Sequence, residues 1–227
     1  MNIREFSDRF DTLLNSFGTT PNIVLDEYEK SVFLTNAQEE VIIDIYNGKN
    51  VFGDSFEKTE EIRRYLNELI VTYTTDAKIS EQIGVSKDSV FFKIPENVWF
   101  ITYESVTFQD EKLKCLNGEE ALVVPVSQDD FYRTQENPFR GPSKSRALRL
   151  DNKGNIIELV STYNISKYLI RYIAKPNPII LTNLSDGLSI NGITKETECE
   201  LNPVIHRAIL ERAVKLAILS RVTDTGN

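Results

Sequence analysis

The run Cys199-Glu-Leu-Asn-Pro-Val-Ile-His-Arg-Ala-Ile-Leu-Glu-Arg-Ala-Val-Lys-Leu-Ala-Ile-Leu219 constrains the fold more than any other stretch of the chain. Asn202 can cap a helix, Pro203 suits the first helical position, and no further Gly or Pro occurs before Gly226. Val204/Ile205, Ala208/Ile209, Arg212/Ala213 and Leu216/Ala217 recur every three to four residues. Such spacing makes an apolar face, and its alanines let other helices approach closely. The partner for that face must come from earlier in the chain. Ile3, Phe6, Phe10, Leu13, Leu14 and Phe17 predict an amphipathic helix over 1–17, ended by Gly18 and Pro21. Residues 22–34 read as a short helix, and Thr35-Asn36-Ala37-Gln38 reads as a capping box that starts another over 36–46. That helix presents Val41, Ile42, Ile45 and Tyr46 and stops at Asn47-Gly48. After a loop through Gly53, residues 58–70 place Ile62, Tyr65, Leu66, Leu69 and Ile70 on one side.

Past Gly84 the composition turns β-branched and aromatic, as in Val90–Ile94 and Val98–Phe108. Turn dipeptides follow at Asn117-Gly118, Lys153-Gly154, Asp186-Gly187 and Asn191-Gly192, the local chemistry of antiparallel hairpins. Residues 146–150 and 155–160 form one such pair, and Tyr168, Ile170 and Tyr172 mark a further strand. The expected fold class is therefore α+β: a helical bundle formed by the N-terminal helices and the C-terminal helix, with an inserted antiparallel β domain. Its divisions fall at 1–80 (helical), 85–197 (β, with a projecting loop over 127–146) and 198–227 (the returning helix).

Charge is unevenly spread. The net charge of −8 argues against a wholesale nucleic-acid coat. Residues 1–60 hold five basic side chains against twelve acids, whereas residues 133–175 hold nine basic against three acidic. This polarity suits a protein that meets two different surfaces. Arg133, Arg140, Lys144, Arg146 and Arg149 are the candidates for contacting a DNA backbone or an acidic partner, and Phe131, Tyr132 and Phe139 are apolar anchors for a neighbouring subunit.

Catalytic and metal signatures are missing. His206 is the only histidine, so no histidine triad or multi-histidine site can form within one chain. Cys115 and Cys199 lack C-x-x-C spacing. Asp129-Asp130 has no third carboxylate at useful spacing, and Asp151-Asn-Lys-Gly-Asn155 opens like a calcium loop but has Thr162 where the bidentate glutamate belongs. Phosphate-loop, dinucleotide and nucleophile-elbow motifs are absent from the sequence. No cofactor, metal or enzymatic activity is expected. A charged N-terminus and the lack of a bilayer-length apolar run predict a protein made and kept in a cytoplasm, without a membrane partner.

Two segments carry a family resemblance. Leu25-Asp-Glu-Tyr-Glu-Lys-Ser-Val-Phe-Leu-Thr-Asn-Ala-Gln-Glu-Glu40 resembles the opening of a virion protein of crAss-like phages of gut Bacteroidales. Tyr172 with Pro176-Asn-Pro-Ile-Ile-Leu181, leading to Cys199-Glu-Leu201 and the Ala-rich helix, resembles head-to-tail connector proteins of the tail tubular protein A type. The resemblance implies a virion structural protein. Twelve copies would form a ring joining the portal to the tail, around the channel through which double-stranded DNA passes, and assembly would take place in the host cytoplasm. The alternative is a monomeric, non-enzymatic phage protein that binds nucleic acid through residues 133–175.

Overall fold

A computed structural model describes residues 1–17, 24–49, 60–80, 82–185 and 187–224. Gly18, Pro21, Asn22, Ile23, Gly53, Lys58, Asp186 and Gly226, each used above, lie outside the described residues. Helices α1 (Ile3–Phe17), α2 (Glu27–Tyr46) and α3 (Glu60–Tyr65) come first. Strands β1 (Ile70–Thr75), β2 (Lys78–Ile79), β3 (Ser89–Lys93), β4 (Val98–Phe108) and β5 (Glu120–Pro125) follow. Then come α4 (Phe131–Gln135), β6 (Arg146–Asn152), β7 (Ile156–Val160), β8 (Ile165–Ala174) and α5 (His206–Asp224). The chain divides into two compact units, Met1–Leu69 with Pro176–Asn227, and Ile70–Lys175.

In the first unit α1 and α2 both pack on α5. Phe6, Phe10, Leu34, Ile42, Ile209, Ala213 and Val214 are all essentially sealed from solvent. Asn202 accepts the Val204 amide at 3.0 Å, a single 3-10 turn over Pro203–Ile205 follows, and α5 runs on from it. The 22–46 region is one helix from Glu27, not two. Its capping box is Asp26 with Glu29: the Glu29 amide donates to Asp26 Oδ1 at 2.7 Å and the Asp26 amide to Glu29 Oε2 at 3.2 Å. Thr35, read above as a cap, is buried in mid-helix and serves another segment. The Leu181 amide donates to Ser31 Oγ at 2.9 Å, the Ile179 amide to Thr35 Oγ1 at 3.1 Å, and Gln38 Nε2 donates to the Asn177 carbonyl at 2.9 Å. Ser31, Thr35 and Gln38 fall on one helical stripe, so they supply backbone partners to residues 177–181, of which 178–181 are buried.

The second unit is one eight-stranded sheet in the order β1-β8-β4-β5-β6-β7-β3-β2. Strands lie about 4.8 Å apart, so β8 and β3, five steps apart, would be separated by roughly 24 Å in a flat sheet. Yet the Phe92 and Tyr168 rings meet at 5.6 Å. The edge strands β1 and β2 are also joined by Asp76 and Ala77 alone. The sheet must therefore curl back on itself, and three register shifts along β4 against β8 help it bend. Phe92, Val106, Phe108, Leu159, Ile165, Tyr168 and Ile170 fill its interior.

The expected fold class is corrected by this sheet. The protein is a β-rich fold built on a curled mixed sheet, a half-barrel, and not a helical bundle carrying an antiparallel insert. Two physical reasons account for the difference. Ile70-Val-Thr-Tyr-Thr-Thr75, placed in the helical division 1–80 with Ile70 closing the 58–70 helix, is a β-branched strand paired with β8. In addition, β5 and β6 pair in parallel, Leu122 opposite Arg146 through Pro125 opposite Arg149. The β6–β7 hairpin forms with Gly154 and Asn155 at positive φ, and Asn191-Gly192 makes a two-residue turn between Ile190 and Ile193.

Candidate functional site

Parallel neighbours cannot be joined by a hairpin, so residues 126–145 have to cross back to the start of β6. This crossover is the polar segment expected to project, and it is closely tied down. Phe131, at the start of α4, is buried against Leu148, Leu150 and Val160. Tyr132, one residue on, points the other way and is 73% exposed. Beyond α4, Asn137 Oδ1 accepts the amides of Phe139 and Arg140 at 2.9 and 3.2 Å, and the Gly141 amide donates to the Asn137 carbonyl at 2.7 Å. A Cβ on Gly141 would lie 2.6 Å from the Gln135 carbonyl oxygen and 2.8 Å from that of Asn137, so the turn closes only around glycine. Arg146 Nη1 donates to the Phe139 carbonyl at 2.5 Å. Phe139 is thus 86% exposed on a backbone held from both sides.

The eight sequence candidates separate into two groups. Tyr132, Arg133, Phe139, Arg140 and Lys144 are exposed on the crossover, and no ion pair engages its three cations among the described residues. Phe131 is core, Arg146 braces the turn, and Arg149 faces the sheet interior. Arg149 Nη1 stands 3.2 Å from Glu104 Oε1 and Nη2 3.6 Å from Asp151 Oδ2, while the Tyr168 hydroxyl donates to Glu104 Oε2 at 2.7 Å. Burial raises the Glu104 pKa against the opposing pull of Arg149, and burial together with Glu104 pushes the Tyr168 hydroxyl far up. Gly141, with Pro138 and Pro142, is expected from the sequence to limit how this loop folds; Asn137 was not singled out, although Asn beside Pro is a turn signal.

Neither His206 nor Cys199 has the surroundings of a reactive group. His206 is 3% exposed; Nε2 must donate to the Leu201 carbonyl at 2.8 Å, leaving Nδ1 to accept from the Met1 amino group at 2.7 Å. Burial lowers its pKa, with the amino group acting in the same direction. Cys199 is pushed up to about 11 by burial and lies 3.3 Å from Gln38 Oε1. Among the described residues no cluster of three metal-ligating side chains occurs, and no helix is long and apolar enough to cross a membrane.

The crossover thus sets an aromatic and basic turn rigidly on the surface of a curled mixed sheet. The chain belongs to the phage tail ring protein 3/4 family, whose model matches residues 1–227. It is 65% identical over 228 residues to "Ring protein 3" of Bacteroides phage crAss001, covering 100% of this chain and 99% of the relative. It is 35% identical over 227 residues to "Ring protein 4/5" of the same phage, covering 96% of this chain and 92% of the relative. The resemblance to a ring protein of crAss-like phages is thereby established.

Proposed function

We propose that this chain is a structural, non-enzymatic subunit of a closed ring of twelve copies in the head-to-tail connector, joining the portal to the tail and lining part of the channel for double-stranded DNA. The ring belongs to the virion and assembles in the host cytoplasm. The observation that carries the reading is the crossover: two exposed aromatics and three cations without ion pairs among the described residues, fixed in place by Asn137, Gly141 and Arg146. Such a patch is a liability on a monomer and an anchor in an assembly. Family membership supports the ring, and two relatives in one phage, both named ring proteins, support related rings as the neighbouring partners. Nucleic-acid binding by a monomer is less well supported, because Arg146 and Arg149 are turned to partners in their own chain. Native mass measurement after co-expression with the portal and the adjoining ring proteins tests the proposal. A species containing near twelve times 26.0 kDa of this chain is expected, and a chain that stays at 26.0 kDa with every partner would overturn it.

A further inference from the structure

The chain holds three Asn-Gly pairs, Asn47-Gly48, Asn117-Gly118 and Asn191-Gly192. Such pairs share one spontaneous reaction, in which the glycine amide nitrogen attacks the asparagine side-chain carbonyl carbon. The N–Cγ bond forms, the Cγ–Nδ2 bond breaks, and the amide proton leaves with the side-chain nitrogen as ammonia. Water then opens the cyclic imide at either carbonyl, giving aspartate or isoaspartate. Glycine favours the attack because it has no Cβ to hinder the approach of its nitrogen. The fold treats the three pairs differently. At the end of α2 the Gly48 amide donates to the Ile45 carbonyl at 3.3 Å. Between β4 and β5 both reacting groups are held: the Gly118 amide donates to the Phe108 carbonyl at 2.9 Å, and Asn117 Oδ1 accepts the Asp110 amide at 2.9 Å. At Asn191-Gly192, among the described residues, the glycine amide has no acceptor, and the asparagine side chain makes one long hydrogen bond, Nδ2 to Glu39 Oε1 at 3.4 Å. Both residues are exposed, and a Cβ on Gly192 would meet no atom within 4 Å, so the space an imide needs is open.

We propose that Asn191 is a self-modification site, the asparagine of the three pairs that the folded chain converts first to aspartate and isoaspartate. Its turn is held by the reciprocal amide–carbonyl pair of Ile190 and Ile193, at 3.0 and 2.9 Å, and that pair is an isolated bridge outside any of the strands named above. A short hairpin without further strands opens readily. Opening frees Asn191 from its φ of 52° and lets its side chain swing over the Gly192 nitrogen. The product alters the helical unit. A carboxylate at position 191 replaces an amide that donates to Glu39 on α2, so an attraction becomes a repulsion between like charges. Isoaspartate also adds a methylene to the main chain, which shifts Ile190 and Ile193 from the register that the two-residue turn sets. In an assembly whose subunits are not replaced, the modified fraction grows with age.

Peptide mapping of the full-length chain tests the assignment. The folded chain is incubated at mildly alkaline pH, and conversion of Asn47, Asn117 and Asn191 is quantified at intervals by mass spectrometry, with a protein isoaspartyl methyltransferase marking the isomer. The same chain in urea supplies the intrinsic rates, at which the three pairs should react alike. In the folded chain Asn191 should convert about tenfold or more faster than Asn47 and Asn117, whose glycine amides must first break a hydrogen bond. Asn191→Asp, which supplies the product charge, should raise the amide hydrogen-exchange rates of Ile190 and Ile193 by about two- to fivefold. Equal conversion of the three pairs in the folded chain, or an Asn191 that stays unmodified there while reacting in urea, overturns the proposal. Unchanged exchange in Asn191→Asp overturns the coupling of the turn to Glu39.

Discussion

Thr35→Val removes one hydroxyl from the middle of α2 and keeps the side-chain shape. The lost oxygen accepts the Ile179 amide at 3.1 Å and lies 3.4 Å from the Ile179 carbonyl oxygen. Ile179 is 0% exposed, so water cannot replace the missing acceptor. A buried amide left without a partner costs about 1–3 kcal/mol. For a chain of this length each kcal/mol moves the melting temperature by about 2–4 °C, so the variant should melt roughly 2–12 °C below wild type. Ser31→Ala removes the acceptor of the Leu181 amide and should cost a similar amount, with coupling between the two because they hold one segment. Thr12→Val, at an exposed position of α1, is the control and should change stability by less than about 0.5 kcal/mol. Thermal melts followed by circular dichroism give the stability, and amide hydrogen exchange at Ile179 and Leu181 gives the location of the loss. A Thr35→Val chain with wild-type melting and unchanged protection of Ile179 would refute the assignment of α2 as the support of residues 177–181.

Ala213 is fully buried on α5, so Ala213→Asp should cost about 3 kcal/mol or more and loosen the helical unit; denaturant unfolding checks this, and wild-type stability would count against the packing described. Glu104→Gln should cost about 3–5 kcal/mol by stranding Arg149 in the sheet interior. The combination Glu104→Leu, Arg149→Met and Tyr168→Phe should recover most of that, because Arg149 Nε already lacks an acceptor; a triple variant as unstable as Glu104→Gln would contradict this. His206 has a lowered folded pKa, so its neutral ring contributes stability that is fully present above the unfolded value of 6.5 and is lost as pH falls from there through the folded pKa. The raised pKa of Glu104 acts in the opposite direction as pH falls toward its own unfolded value. The measurement is therefore the difference in melting temperature between wild type and His206→Gln, which should shrink as pH falls below 6.5; a constant difference would show that His206 does not titrate on unfolding.

Local chemistry was the legible part of the sequence. The Asn202-Pro203 start of the last helix, the α1 stripe and the Lys153-Gly154 hairpin are each decided by neighbours in the chain, and all three formed. Thr35-Asn-Ala-Gln38 misled because a hydroxyl that can cap a helix can equally serve a segment more than a hundred residues away, and only the tertiary fold selects between these uses. Ile70–Thr75 carried its β-branched signal in plain sight, but a helical spacing that ended at Ile70 masked it. Parallel pairing of β5 with β6 has no local signature, since it follows from closure of the whole sheet. For the candidate site, the region was legible and the roles of its residues were not. Phe131 and Tyr132 are adjacent aromatics, one core and one exposed, and a five-residue helix carries too little periodicity to tell them apart. The inward turn of Arg149 follows from alternation along β6, where it shares a face with buried Ala147, once the strand is known to be covered on both sides.

A reconstruction of the intact particle, refined without imposed symmetry around the axis from portal to tail, tests the central claim most directly. It should contain this chain as a closed twelve-membered ring on that axis, with each crossover, marked by Phe139, against the adjoining copy. Finding the chain away from the portal–tail axis, or present in single copies without cyclic neighbours, would contradict the account.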